Sequence, residues 1–417
     1  MRIALVSIDA LPLQPAPSAV PPNGLYVTQL ARAYARAGHR ADVFVRRVDL
    51  WGSNTESLAP NAGLVRVPAG PPLRLEGRAL RSLAHDFGTR LVDCAAVHGP
   101  YDIVHASYFL SGAGATRLRK RFGIPFVLSC QSLGKSVTPS PDQQEGLPER
   151  VALEKALVRT ADRLIATCPI EREVLATRYG ADPARVEVIP FGVNATEFRP
   201  AGTSARSRLG VPHDEFLILA FGANAPSDGV DDAIRGLGHL RRDYRVRAWL
   251  VIARRGTEPL DLRGRAEPGR LQALAAREGV SGQLLFTDPA TSEAPADLYR
   301  AADAMVATPR EDTNGLRALE AMACGVPVVA ARTGALPYLV DDAVTGFVVA
   351  PRDPAAIAGR LARLVANREL GRAYGRAGVL KVRAGLTWDH VAARLVGIYA
   401  ATLAPQGSRL ARIVSGR

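Results

Sequence analysis

At 417 residues, with 47% hydrophobic and 22% charged side chains, the chain is too long for one ordinary core and suits two folded domains of about 200 residues each. The net charge of +13 is almost all arginine, since lysine occurs only at 120, 135, 155 and 381; it favours phosphorylated ligands or an anionic membrane face, or reflects a plain Arg-rich surface. Aromatics at 6%, with no basic stripe interleaved among them, argue against nucleic acid, and the scattered Cys94, Cys130, Cys168 and Cys324 read as reduced thiols of a cytoplasmic protein with no metal site.

The N-terminal MRIALVSIDALPL reads as a first strand, Ile3 to Ser7, rather than a secretory signal, because Asp9 interrupts the apolar stretch. A helix-periodic stretch, Tyr26 to Ala37, leads to a second strand at Ala41 to Val45. Ala79 to Val97, Ser111 to Phe122, Leu147 to Thr160 and Pro169 to Tyr179 read as helices. They alternate with strands at Ile103-Val104, Pro125 to Leu128, Leu164 to Thr167 and Val186 to Ile189. Strict alternation predicts a parallel sheet covered on both faces.

Pro190 to Pro200 breaks the pattern and reads as an interdomain connection. A second alternation follows, with strands at Phe216 to Ala220, Trp249 to Ala253, Leu284 to Phe286, Ala304 to Ala307, Pro327 to Ala330 and Phe347 to Val349. Its helices are Val230 to Leu240, Gly269 to Glu278, Ala294 to Ala301, Gly315 to Ala323 and Asp353 to Ala366, and a last helix spans Trp388 to Leu403. The expected domains are therefore 1–200, 201–385 and a C-terminal segment 386–417. No run is long and apolar enough to span a bilayer. The fold class is α/β: two doubly wound, Rossmann-like domains expected to face one another across a cleft at their strand ends.

Val306 to Pro351 is the most informative stretch. Asn314-Gly315 is a turn opening a helix, and amides at Gly315 and Leu316 would favour an anion such as a diphosphate. Asp312 and Glu320 bracket that start with seven residues between them. Taken alone, this is also what a common α/β unit with surface carboxylates would show. The run Leu319-Glu320-Ala321-Met322-Ala323-Cys324-Gly325-Val326-Pro327-Val328-Val329-Ala330, with the later Thr345-Gly346, resembles the donor-binding signature of the retaining, nucleotide-sugar-dependent glycosyltransferases of family 4, which have the GT-B fold. Asp312, with Glu311 beside it, stands where that family has its first Glu.

The first domain resembles the branch of that family containing sucrose-phosphate synthases and the glycosyltransferases of mycothiol synthesis. The segments are Asn23-Gly24-Leu25-Tyr26, His105 to Gly112, Ser129 to Lys135, and Arg150 with Glu154. The resemblance puts Gly24 in a loop at a helix start. It makes Tyr108 an acceptor-facing aromatic, with Asn23, Ser132, Lys135 and Arg150 on the acceptor side. Gln131 replaces a His that lies beside the donor sugar in relatives; Gln hydrogen-bonds a hydroxyl but carries no charge.

The family's diphosphate-binding Arg and Lys are replaced by Ala223 and Asp228, although Gly222 and Gly229 are in place. Arg254, Arg255, Arg310 or Arg317 could supply the missing charge. The resemblance implies metal-independent transfer of a hexosyl unit from a nucleoside diphosphate sugar to a small or phosphorylated hydroxyl acceptor, with retention of configuration and no further cofactor. Glu320 would hold the ribose and Asp312, with Glu311, the donor sugar, while Gly222, Arg254, Gly315 and Leu316 would face the diphosphate side. A catalytically impaired relative that binds a partner is the alternative. Contact with the inner membrane face and a homodimer both stay open.

Overall fold

The computed structural model describes residues 1–9, 22–75, 77–135, 147–222, 226–254, 262–287, 295–311 and 314–404. The chain divides into two compact units, Met1–Leu13 with Pro21–Ile189 and Trp388–Arg417, and Gln14–Val20 with Pro190–Thr387.

Among the described residues the first unit is built on an eight-stranded sheet: β1 (Arg2–Ser7), β2 (Arg40–Arg46), β3 (Thr55–Ala59), β4 (Ala62–Val67), β5 (Ile103–Ser107), β6 (Phe126–Ser129), β7 (Arg163–Ala166) and β8 (Val186–Val188). Their order is β3-β4-β2-β1-β5-β6-β7-β8. The central strands are apolar on both faces because helices cover both, as parallel strands require. The β3–β4 hairpin corrects the expectation of an all-parallel sheet: the pair is antiparallel, and Asn61 at its turn holds φ 63°. β3 is largely exposed and carries little apolar patterning, so its sequence gave no strand signal.

Leu147–Thr160 and Pro169–Tyr179 are helices with the expected bounds. The helix expected over Ala79 to Val97 is two, Gly77–Ser82 and Ala84–His98. The first helix starts earlier than expected, at Pro22, and runs to Arg36. Asn23 and Gly24 therefore lie in its first turn rather than in a preceding loop, and Thr28 Oγ1 donates to the Gly24 carbonyl at 2.7 Å.

The last helix, Trp388–Leu403, packs on Pro22–Arg36 within this unit. A fully buried polar chain fastens it. Tyr34 Oη meets Tyr399 Oη at 2.8 Å, Tyr399 Oη meets His105 Nδ1 at 2.5 Å, and His105 Nε2 meets Ser129 Oγ at 2.8 Å. Tyr26 Oη adds a fourth contact, to Ser129 Oγ at 2.9 Å. Burial pushes the His105 imidazole down to about 3, so it sits in this chain neutral.

Among the described residues the second unit has six parallel strands: β9 (Phe216–Gly222), β10 (Ala248–Arg254), β11 (Leu284–Thr287), β12 (Ala304–Ala307), β13 (Val328–Ala331) and β14 (Gly346–Val349). Their order is β11-β10-β9-β12-β13-β14. Residues after Ile189 belong to this unit, upstream of the expected boundary at 200. Val193 N donates to Leu386 O at 3.0 Å, and Phe191 and Phe198 are buried.

Arg368–Gly385 is a helix that the sequence reading did not include. Two of its glycines, poor helix formers, serve packing: a Cβ on Gly375 would lie 1.9 Å from the Gly325 carbonyl oxygen, and one on Gly378 3.3 Å from Met322 Cβ. The Thr345-Gly346 pair is also structural. Thr345 Oγ1 accepts from Asp341 N at 2.9 Å, and a Cβ on Gly346 would meet the Val328 oxygen at 2.1 Å.

Candidate functional site

The first unit gathers its predicted residues at the C-terminal ends of β5 and β6, where ligands bind in open α/β sheets. Three non-glycine residues there have left-handed φ: Tyr108 at 72°, Gln131 at 46° and Ser132 at 79°. Such geometry costs about 1–3 kcal/mol per residue and persists only where the surroundings enforce it. Here they do. Ser132 N donates to Glu171 Oε1 at 3.3 Å and its carbonyl accepts from Arg150 Nη2 at 2.8 Å. Gly134 N donates to both oxygens of Glu154 at 3.1 Å.

Arg150 pairs with Glu154 at 2.8 Å and lies over the Phe109 ring at 4.8 Å and the Tyr108 ring at 5.5 Å. Arg150 and Glu154 are both buried. Tyr179 Oη donates to Glu154, and Lys135 N donates to Tyr179 Oη at 2.9 Å. The Lys135 ammonium makes a long 3.5 Å contact to the Arg178 carbonyl. Burial raises the Glu171 carboxyl, opposed by donors from Thr167 and Ser132.

Within this scaffold Gln131 stands out. Its Oε1 accepts from Ser107 Oγ at 3.1 Å, while its Nε2 is buried with no partner among the described residues. A buried donor left unmade costs about 1–3 kcal/mol, so the site calls for an acceptor such as a hydroxyl.

In the second unit, β9 ends at Gly222, beside the last residue of β10, Arg254. The Arg254 side chain, Ala223 and Asp312 lie outside the described residues, as does the Asn23 side chain in the first unit. Gly229 has φ 70°, and a Cβ there would meet the Thr308 carbonyl oxygen at 1.7 Å, so only glycine lets this turn reach the end of β12. Asp228 and Glu311 are both half-buried.

Helix Leu316–Ala323 begins from Gly315 at φ 62°, where a Cβ would strike Leu339 Cδ1 at 2.1 Å. The Leu316 amide, expected to face a ligand, already donates to Asn314 Oδ1 at 3.0 Å. The helix closes at Gly325 with Val326 N bonding back to Ala321 O. Glu320, buried, accepts at Oε2 from Tyr299 Oη at 2.5 Å and from Arg317 Nη1 at 2.9 Å. Arg310 is committed elsewhere, bonding Asp232 Oδ2 at 2.6 Å and Asp231 Oδ2 at 3.2 Å, with Arg235 completing the cluster.

Sequence reasoning missed Tyr299, Glu171 and the Asp231–Asp232–Arg310 cluster. Glu171 lies in the first turn of the helix that opens at Pro169, and both Thr167 N and Oγ1 donate to it. Tyr299 carried no sequence signal. Among the described residues no group of three or more His, Cys, Asp or Glu is arranged to hold a metal, and no helix is long and apolar enough to cross a membrane.

The family profile described as Glycosyl transferases group 1 matches residues 203–380, and the Glycosyl transferase 4-like domain matches 24–192. A D-inositol 3-phosphate glycosyltransferase of Catenulispora acidiphila is 35% identical over 404 residues, 95% of each chain. One of Nocardiopsis dassonvillei is 36% identical over 98% of this chain and 96% of its own. The structure of sucrose-phosphate synthase from Thermosynechococcus elongatus superposes with a TM-score of 0.83 at 28% identity, covering 96% of this chain and 98% of that one. With both profiles matched along one chain and relatives of this identity over its whole length, the chain belongs to the group 1, family 4-like glycosyltransferases of the GT-B fold.

Proposed function

We propose that the chain transfers a hexosyl unit from a nucleoside diphosphate sugar to a hydroxyl of a phosphorylated polyol, with retention and without a divalent metal. The observation that carries this reading is the buried Gln131 Nε2, without a partner among the described residues, on a strained segment fixed by Glu171 and Arg150. Strain and an unmet donor together are features of a ligand site rather than of a settled core. The relatives named for D-inositol 3-phosphate suggest a phosphorylated cyclitol as acceptor.

In this reading Gln131 donates to a hydroxyl of the donor sugar, and Glu320, through its remaining oxygen, accepts from a ribose hydroxyl. Lys135 meets the acceptor phosphate, with Tyr108 lining the acceptor side. Arg150, neutralised by Glu154, shapes the loop beneath them. The bond from the anomeric carbon to the diphosphate oxygen breaks and the bond to the acceptor oxygen forms on the same face. The acceptor's proton passes to the leaving diphosphate, so no pair of carboxylates at glycosidase spacing is needed.

The test is Gln131→Ala assayed with UDP-, GDP- and ADP-hexoses and inositol phosphate, with and without EDTA. The expected result is transfer by the wild type that EDTA leaves unchanged, and a fall of about tenfold in kcat/KM for a variant that thermal denaturation shows to be folded. Equal kcat/KM in the two proteins would remove Gln131 from the site.

A second reading, a non-catalytic binding subunit, is favoured by Asp228 and Ala223 at the family's Lys and Arg positions and by Arg310 being held by Asp231 and Asp232. It predicts no consumption of any sugar nucleotide in the same assay.

A further inference from the structure

The charge missing at positions 223 and 228 must come from elsewhere if a diphosphate is to bind, and the surroundings of β9 narrow the sources. Arg310 and Arg235 face Asp231 and Asp232, a cluster of two cations and two carboxylates with no net charge to offer. Arg317 differs. It sits in the first turn of helix Leu316–Ala323, and its guanidinium carbon lies 4.8 Å over the ring of Phe221. Phe221 immediately precedes Gly222, the last residue of β9 and the sequence neighbour of position 223. Phe221 in turn packs on Tyr299 at 5.1 Å between ring centroids, and Tyr299 and Arg317 share Glu320 Oε2. The guanidinium is thus fixed by stacking on one face, by an N–H on the Glu320 carboxylate and by the Tyr299 hydroxyl beside it, while its side chain keeps 19% exposure.

From this geometry we infer that Arg317 binds the donor's diphosphate, supplying from the start of helix Leu316–Ala323 the cation absent at 223. The inference rests on the reading of the chain as a nucleotide-sugar transferase. A guanidinium presents five N–H donors in a rigid fork, so contacts with Glu320 and Tyr299 leave others for phosphate oxygens. The ion pair then links the two halves of nucleotide recognition: Glu320 takes the ribose, and Arg317, held by Glu320, takes the phosphates. Stacking on Phe221 keeps the plane from swinging away when the site is empty.

The rival role is purely structural, with Arg317 doing no more than orienting Glu320. Ligand pairs that differ only in phosphate separate the two. Binding of uridine and UDP, guanosine and GDP, and adenosine and ADP is measured by calorimetry on wild type, Arg317→Gln and Arg317→Lys, with folding checked by thermal denaturation. Arg317→Gln is expected to weaken the diphosphate roughly 10- to 100-fold, the scale of a charge-assisted bond, and the matching nucleoside less than about threefold. Arg317→Lys keeps the charge without the fork and should weaken the diphosphate by an intermediate factor, which carries the test should the Gln variant fail to fold.

Equal losses for nucleoside and diphosphate would overturn the inference in favour of orientation alone, and so would no loss for either. If the wild type binds none of the six ligands, the transferase reading itself fails, a result distinct from either of those.

Discussion

Replacing Arg150 with Met tests whether that side chain builds the Gln131–Ser132 segment or waits for an acceptor. The substitution keeps much of the apolar contact with Phe109 and Tyr108 and removes the charge. Glu154, 2% exposed, would lose its partner at 2.8 Å and keep only the Gly134 amide and the Tyr179 hydroxyl. The Ser132 carbonyl would lose its donor at 2.8 Å. Breaking a buried pair from one side costs about 3–5 kcal/mol, and the two surviving donors place this case near the lower figure. The unpaired carbonyl adds about 1 kcal/mol, for a total of about 4 kcal/mol. For a unit of this size that corresponds to a fall of roughly 10 °C in Tm. Scanning calorimetry of Arg150→Met measures it directly. The double variant Arg150→Met/Glu154→Met should be less destabilised than the sum of its parts, because no lone charge remains. A Tm within about 2 °C of wild type, with a rise confined to the acceptor KM, would refute the reasoning and make Arg150 a ligand-binding residue.

Two further outcomes follow from the same geometry. His105 is held near 3 in the folded chain against an ordinary 6.5, so between those values the unfolded chain binds a proton that the folded one does not. Its contribution is therefore intact above about pH 6.5 and is lost as pH falls towards 3; His105→Gln should flatten the fall of urea-measured stability between pH 6 and 4, and an unchanged slope would show another group responsible. Gly315→Ala must place a Cβ 2.1 Å from Leu339 Cδ1 at φ 62°; a loss of about 2 kcal/mol or more in denaturant unfolding is expected, together with weakened nucleotide binding, and a neutral effect would mean the helix start relaxes freely.

The alternation of strands and helices was legible because both sheets are covered on two faces and their strands are short apolar runs. Helices such as Leu147–Thr160 and Pro169–Tyr179 were readable from Pro at their starts and polar punctuation at their ends. The β3–β4 hairpin was not, since an exposed edge strand needs no apolar face. Arg368–Gly385 was hidden by glycines that local propensity counts against a helix; Gly375 and Gly378 let it lie against the Gly325 turn and Met322. At the site, the sequence named the positions but not their commitments. Whether an arginine is free to meet a phosphate depends on which carboxylates the fold brings to it, and Arg310 meets Asp231 and Asp232 from 79 and 78 positions away. Tyr299 and Phe221, which brace Glu320 and Arg317, look like ordinary core aromatics in the sequence.

The most direct test is to incubate the purified chain with UDP-, GDP- and ADP-hexoses and inositol phosphate and to follow both nucleotide release and the anomeric signals of the product by NMR. One sugar nucleotide should be consumed, and the new glycoside should keep the donor's anomeric configuration. A product of inverted configuration, or no consumption of any donor, would contradict this.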